Sequence, residues 1–146
     1  MEHYKRRYNY RHSNYVELVQ KENIVRIKQN HDDASYAPIL TKETGRIDWS
    51  LDAVKIKNLI RGTYPWPGAY SFYEGNMFKI FTVEVIDKDV SNVDWGKICE
   101  VEKEYFTVNC KKGFLRIKEI QFQNKKRMSV EAYLRGHNIL KGKLLS

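Results

Sequence analysis

The chain has 146 residues, of which 42% are hydrophobic and 30% charged, and it carries a formal net charge of +8. This length predicts one compact domain with a short extension, in a globular rather than a disordered protein. No apolar run reaches the roughly 20 residues of a membrane-spanning helix, and the polar start MEHYKRR predicts no secretory signal peptide. Two cysteines exclude a disulfide scaffold and a four-cysteine zinc site. We therefore expect a cytoplasmic protein without membrane association.

The positive charge is concentrated toward the end of the chain. Residues 111–146 hold ten Lys or Arg against two Glu, whereas residues 31–110 carry more acidic than basic side chains. This asymmetry favours a polyanionic partner, and RNA over a membrane because no lipid-facing amphipathic helix accompanies the charge. A merely solvated basic surface is the alternative interpretation.

The first part of the chain has little to form a core. Residues 1–13 show no apolar periodicity, so we leave them unassigned and expect them to be poorly ordered. Residues 14–20 predict a short helix, residues 24–29 an extended arm, and residues 30–35 a polar linker.

A helix is predicted to begin at Ser50, which is a suitable N-cap, and to stop at Gly62. Ala53, Ile56 and Ile60 recur at helical spacing between them, so we expect these side chains to face the core. Two prolines follow in the sequence YPWPG and exclude a continued helix.

From residue 69 onward the hydrophobic period changes to two, which predicts strands. They are expected at residues 69–72, 77–86, 97–102, 105–110 and 113–122, with a short helix at residues 129–135. The alternation slips once at Ile80–Phe81, which predicts a β-bulge or a sharp coil there, and it slips again around Lys118–Glu119. Five coiled strands with little helix predict a mainly β (α+β) fold, a small, partly open barrel with one N-terminal and one short C-terminal helix.

No constellation of residues predicts catalysis. The run His31-Asp32-Asp33 lies in the polar linker, where consecutive side chains cannot converge, so a linker is favoured over an acid–base or metal site. Cys99 and Cys110 share strand faces with apolar residues and are expected in the core. The sequence has no phosphate loop, GxGxxG or GxSxG motif. A binding module is the prediction.

Three stretches carry a specific resemblance to a known family. They are YAPILTKETGRIDWS at residues 36–50, YPWPGA at residues 64–69, and KKRMS followed by LRG within residues 125–136. In this order and spacing they resemble the C-terminal domain of methionyl-tRNA formyltransferase. The resemblance implies an OB-like barrel at residues 37–146 and, at residues 14–36, the end of the family's catalytic domain and its linker.

The resemblance also implies what this chain does not carry. The family's enzyme moves a formyl group from 10-formyltetrahydrofolate to the amino group of methionyl initiator tRNA, using an Asn, a His and an Asp of an N-terminal Rossmann-like domain. None of that domain's motifs is present, so we expect no catalytic residue, no metal and no cofactor bound by this chain, and no activity from it alone. The implied partners are initiator tRNA and the N-terminal catalytic domain, while the oligomeric state stays open.

The candidate RNA-binding residues are basic side chains of the last strand and of the segments that flank it. Arg116 and Lys118 fall on the face opposite Leu115 and Ile117, about 6.6 Å apart, which is comparable to the phosphate spacing of one RNA strand. The predicted site consists of Lys111, Lys112, Arg116, Lys118, Lys125, Lys126, Arg127 and Arg135.

Some interpretations remain open beside this one. Trp49, Tyr64, Pro65 and Trp66 could form a base-stacking platform, but their position at a helix start and a rigid turn favours packing. The domain could belong to another folate-dependent formyltransferase. It could also be an interaction domain without RNA function, whose basic face docks an acidic protein.

Overall fold

The computed structural model describes residues 30–88 and 94–146. The helix, the arm and the poorly ordered start that the sequence predicts before residue 30 lie outside the described residues. The chain divides into two units, Met1–Ala37 and Pro38–Ser146. The described part of the first unit contains a 3₁₀ turn at His31–Asp33. Within the described part of the chain, no helix is long and apolar enough to cross a bilayer.

The second unit is built on one antiparallel sheet. Its strands are β1 (Tyr70–Tyr73), β2 (Asn76–Ile86), β3 (Ile98–Val101), β4 (Phe106–Asn109), β5 (Phe114–Phe122) and β6 (Met128–Ser129). The order across the sheet is β1-β2-β5-β4-β3, with β6 paired to β5. Helix α1 (Ala53–Gly62) precedes the sheet and helix α2 (Val130–Leu134) follows it. The prediction of a mainly β, half-barrel fold with two helices is confirmed.

The register of β2 with β5 is irregular at both places where the alternation of the sequence slips. The paired residues on either side of the irregularity are Ile80 with Ile120, Thr82 with Glu119, and Val83 with Ile117. The register therefore skips Phe81 on β2 and Lys118 on β5. Such bulges bend a strand and increase its twist, which lets the sheet curl toward a barrel.

The core lies between α1 and the concave side of the sheet. Ala53, Ile56 and Ile60 of α1 are buried, as their helical spacing predicts. They pack in one cluster with buried side chains of the sheet, among them Phe78, Ile80, Phe106, Val108, Leu115, Ile117 and Ile120. Cys110 is fully buried in this cluster, and burial raises the pKa of its thiol to about 12. Cys99 is only half-buried, so its predicted core position holds in part.

The start of α1 differs from the prediction. The N-cap is Asp52 rather than Ser50, and the Asp52 side chain makes no capping hydrogen bond. The backbone N–H of Ser50 instead donates to Oδ1 of Asp48 at 2.9 Å, and the hydrogen bonds from Ser50 lower the pKa of Asp48. Ser50 therefore belongs to the turn before the helix. At the other end, Gly62 is the last helical residue and Thr63 the C-cap.

The cap of α2 is as predicted. Oγ of Ser129 accepts a hydrogen bond from the backbone N–H of Ala132 at 3.1 Å. Val130 is buried, and the ring of Tyr133 stacks on that of Phe122 with a centroid distance of 4.7 Å. This stacking fixes α2 on the core side of β5.

Candidate nucleic-acid interface

Arg116 and Lys118 share one carboxylate on the solvent side of the sheet. Leu115 and Ile117 are buried, so the predicted alternation along β5 is confirmed. Nζ of Lys118 lies 2.5 Å from Oε1 of Glu84 on β2, and Nη1 of Arg116 lies 3.5 Å from Oε2. The hydrogen bond from Lys118 is the main cause of the lowered pKa of Glu84. The predicted strip is therefore partly neutralised by the chain's own carboxylate.

Arg116 is held more firmly than Lys118. Its guanidinium carbon lies 4.1 Å from the ring centroid of Tyr105, a cation–π contact. Its Nε is buried and has no hydrogen-bond partner among the described residues. The Arg116 side chain is 29% exposed and the Lys118 side chain 39%. Lys118 is consequently the better placed of the two to turn toward a ligand.

The loop after β5 is fixed by its backbone. The N–H of Lys125 donates to the carbonyl of Phe122 at 3.0 Å, and the side-chain amide of Gln121 donates to the carbonyl of Lys125 at 2.9 Å. Asn124 adopts a φ of 60°, which an asparagine tolerates in a tight turn. Lys125 and Lys126 are exposed, and neither forms an ion pair within the described ranges. This loop presents two free ammonium groups to the solvent.

Arg127 is exposed like its neighbours Lys125 and Lys126 but, unlike them, it forms an ion pair within the described residues. Nε and Nη2 donate to the two carboxylate oxygens of Glu119 at 2.9 and 2.6 Å. Glu119 also accepts a hydrogen bond from Thr82. The guanidinium carbon of Arg127 lies 4.2 Å from the ring centroid of Phe81, the residue in the β2 bulge. The hydrogen bond with Arg127 lowers the pKa of Glu119, and the same bond raises that of Arg127.

Lys111 and Lys112 lie at the other end of β5. The backbone N–H of Lys111 donates to Leu51 at 3.2 Å, and the carbonyl of Lys112 accepts from Ala53 at 3.0 Å. The turn is thus fixed to the start of α1 while both lysine side chains remain exposed. A strand of this length separates them from the loop beyond β5 by about 26 Å.

Arg135 belongs to a different part of the molecule. It is the C-cap of α2, and its guanidinium lies 3.1 Å from Glu131 of the same helix. Because α2 stacks on the core side of β5, the structure does not place Arg135 with the cations of the solvent side. Of the eight predicted residues, four are paired with three carboxylates, which leaves this set with a formal charge of +5.

Two basic residues that the sequence analysis did not include, Lys57 and Arg61, lie beside Arg127. A groove of about 470 Å³ lies between α1, the proline turn and β2. Lys57 and Arg61 of α1 line it together with Arg127, and the rings of Tyr64 and Phe81 line its apolar part. We call this the basic groove. The sequence signal was present, because α1 contains three basic residues and no acidic one.

The aromatic residues around the proline turn have different roles. Trp49 is buried, and its Nε1 donates to Oγ of Ser71 at 3.0 Å, so the predicted packing role is confirmed for it. The same prediction is wrong for Trp66, which is 55% exposed. Tyr64 is 59% exposed and contacts Phe81 edge-on at a centroid distance of 6.4 Å. Its packing is therefore partial.

The described residues contain no group of three or more His, Cys, Asp or Glu side chains that could hold a metal ion.

The amino-acid sequence matches a known protein family. Residues 39–138 match the sequence model of the formyl transferase C-terminal domain, and the chain belongs to this family. It is 49% identical over 130 residues to the methionyl-tRNA formyltransferase of Alkaliphilus oremlandii, and 40% identical over 130 residues to that of Acetivibrio thermocellus. Each match covers 89% of this chain and 42% of the relative. The chain therefore spans about two fifths of the length of these relatives, and the resemblance found in the sequence is confirmed.

Solved structures share the fold at low sequence identity. The chain is similar to HypX from Aquifex aeolicus with a TM-score of 0.55 and 17% identity, over 84% of this chain and 22% of that protein. A structure of HypX in complex with tetrahydrofolic acid gives a TM-score of 0.54 at 15% identity, over 88% of this chain and 25% of that one. At this identity the likeness concerns the fold alone.

Proposed function

We propose that this chain is the non-catalytic, RNA-binding C-terminal domain of a methionyl-tRNA formyltransferase, and that it docks initiator tRNA through the phosphate backbone. The enzyme would move a formyl group from 10-formyltetrahydrofolate to methionyl initiator tRNA in the cytoplasm. The folate and the catalytic residues would belong to an N-terminal catalytic domain. Residues 37–146 of this chain would form the OB-like domain. Residues 14–36 would form the end of the catalytic domain and the linker.

The observation that carries the proposal is the free positive charge at both ends of β5. Lys111 and Lys112 stand at one end, Lys125 and Lys126 at the other, and none of them forms an ion pair in the described part of the chain. In a relative of methionyl-tRNA formyltransferases, an elongated basic surface of this kind suits a tRNA helix.

The physical basis of such docking is counterion release. Each phosphate neutralised by Lys or Arg releases condensed cations, so the logarithm of the affinity falls by about 0.9 per logarithmic unit of salt for each contact to a duplex. An A-form helix hides its base edges in a deep groove, so a surface of this type reads backbone and shape rather than sequence. Selection of the initiator acceptor end would belong to the catalytic domain.

The ion pairs on the solvent side do not oppose this function. Glu84 holds Lys118 and Arg116 in the free protein, and exposed pairs of this kind contribute little net stability. A phosphate can therefore replace Glu84 as the partner of Lys118. Glu84 then competes with the phosphate, because it must be displaced before Lys118 reaches an anion.

A filter-binding titration tests the proposal. The chain is titrated with initiator tRNA, elongator tRNA and a random RNA duplex at two salt concentrations. We expect salt-dependent binding with a dissociation constant of about 10⁻⁴–10⁻⁶ M, as for other mainly electrostatic binders. The double variant Arg116→Glu with Lys118→Glu should weaken binding while its circular dichroism spectrum stays unchanged. Absent or salt-insensitive binding to all three RNAs would overturn the proposal.

A further inference from the structure

The basic groove is distinct from the strip of cations along β5 because its walls come from α1, the proline turn and β2. Its volume of about 470 Å³ lies in the range of small-molecule pockets, roughly 300–1,000 Å³, and is suited to one nucleotide rather than to a helical segment. Its walls carry Lys57, Arg61 and Arg127, and no Asp or Glu is among its described lining residues. Charge complementarity therefore favours an anionic occupant.

The three cations are not equivalent. Arg127 is bound to Glu119 by two hydrogen bonds and covers the ring of Phe81, so it forms a fixed wall of the groove. Lys57 and Arg61 lie four residues apart on the same side of α1 and are both exposed. Among the residues that the structure describes, the Arg61 guanidinium donates a hydrogen bond to Asn58 of its own helix at 3.2 Å and forms no ion pair. Lys57 and Arg61 are thus the side chains free to meet a phosphate.

The aromatic rings also differ in access. Phe81 is half-buried beneath Arg127, whereas Tyr64 is 59% exposed, with its ring nearly perpendicular to that of Phe81 and its side chain also within reach of Arg127. Tyr64 therefore offers ring surface to the groove beside the cations. An exposed aromatic ring next to basic side chains is the combination by which proteins bind unpaired nucleotides, since the base stacks while the phosphate is neutralised.

We propose that the basic groove binds one unpaired nucleotide of the RNA, with the base stacked on Tyr64 and the adjacent phosphate held by Lys57 and Arg61. This inference rests on the proposed function and deepens it. The cations along β5 bind paired backbone whatever its sequence, and the groove adds affinity only where a nucleotide is free to leave the helix. The domain thereby distinguishes an RNA with an unpaired position from a continuous duplex.

The test compares two RNA hairpins that differ by a single bulged nucleotide. The full chain is titrated with each hairpin, as wild type and as Tyr64→Leu. We expect Tyr64→Leu to lower the affinity for the bulged hairpin by about fivefold or more and to leave the paired hairpin unchanged. Trp66→Leu is the matched control, because Trp66 is exposed to a similar extent in the same turn but does not line the groove.

A second pair of variants tests the phosphate contact. Lys57→Gln should weaken binding of the bulged hairpin more than Lys55→Gln, since both lysines are exposed on α1 but only Lys57 lines the groove. Thermal melting of each variant checks that it folds as the wild type does.

The outcomes separate this inference from the proposed function. One outcome is that the wild type binds both hairpins, and that Tyr64→Leu and Lys57→Gln lower the affinity for the two hairpins equally or not at all. The groove proposal is then wrong, while RNA docking stands. If the wild type binds neither hairpin nor any tRNA, the proposed function itself fails. Another outcome is that Tyr64→Leu and Lys57→Gln weaken the binding of an oligoglutamate peptide but not that of the hairpins. The groove is then a site for an acidic protein, and the proposal is overturned.

Discussion

Lys118 donates a hydrogen bond of 2.5 Å to the carboxylate of Glu84, 34 residues earlier in the chain and on the neighbouring strand. Lys118 occupies the bulge of β5, where the register with β2 is interrupted. Lys118 thereby shares the carboxylate that pairs in register with Arg116. One glutamate thus controls two of the cations proposed to bind RNA.

The first prediction concerns that control. Glu84→Gln removes a negative charge and releases Lys118 and Arg116, so it should raise the affinity for tRNA severalfold at low salt and less at high salt. The measurement is the tRNA titration at two salt concentrations. Glu74→Gln is the matched control for charge, because Glu74 forms a similar exposed pair with Lys143 at 2.8 Å. Equal gains in the two variants would mean that only total charge matters.

The second prediction concerns the salt dependence of binding. Lys118→Gln should weaken tRNA binding and make the slope of log affinity against log salt shallower by about 0.9, the loss of one phosphate contact. Lys143→Gln removes the same charge from another exposed lysine–glutamate pair and should leave the slope unchanged. An unaltered slope in Lys118→Gln would show that Lys118 does not contact a phosphate.

The third prediction is a pH dependence of stability. The hydrogen bond from Arg127 lowers the pKa of Glu119 in the folded protein below the ordinary value of 4.5. The ionised Glu119 carboxylate therefore contributes fully to the free energy of unfolding when the pH is above the pKa of Glu119 in the unfolded chain. This contribution is lost as the pH falls through the lower pKa of Glu119 in the folded protein. Glu119→Gln should be less stable than the wild type by about 1 kcal/mol or less near neutral pH, and the difference should shrink as the pH is lowered into acid below 4.5.

Thermal melting at both pH values measures this difference. Glu102→Gln, at an exposed residue of the β3–β4 turn without an ion pair in the described structure, serves as the control and should match the wild type at either pH. A deficit of Glu119→Gln that persisted in acid would assign its effect to packing rather than to the ionised carboxylate.

The fourth prediction compares two glycines. Gly113 has a φ of +74°, and a Cβ there would lie 2.8 Å from the carbonyl oxygen of Ile86, so Gly113→Ala should lower the free energy of unfolding by about 1–3 kcal/mol. Gly62 is the last residue of α1, and no atom lies within 4 Å of a Cβ added there. Gly62→Ala should therefore raise the free energy of unfolding by about 0.5–1 kcal/mol. Urea unfolding measures both. Opposite signs are the expected result, and a common sign would contradict it.

The sequence by itself determined the local elements of the fold. The change of hydrophobic period at residue 69 placed the strands, and the two slips of phase placed the bulges, because each strand residue must face either the core or the solvent. Ala53, Ile56 and Ile60 were correctly placed on the buried side of α1 for the same reason. The Ser50 cap failed because Asp48 forms a competing turn with Ser50, a choice between two short-range hydrogen bonds that composition does not decide.

Only the tertiary structure decided which charges are free and which side chains meet. Glu84 lies 32 residues before Arg116, and the two side chains meet because the register of β2 with β5 places them opposite each other. Glu119 meets Arg127 where the chain turns back from β5 to pair with β6. The basic groove joins Lys57, Tyr64 and Arg127 from three separate elements. Periodicity reports whether a residue faces inward or outward, whereas its partners are set by strand register and helix packing, which act between distant segments.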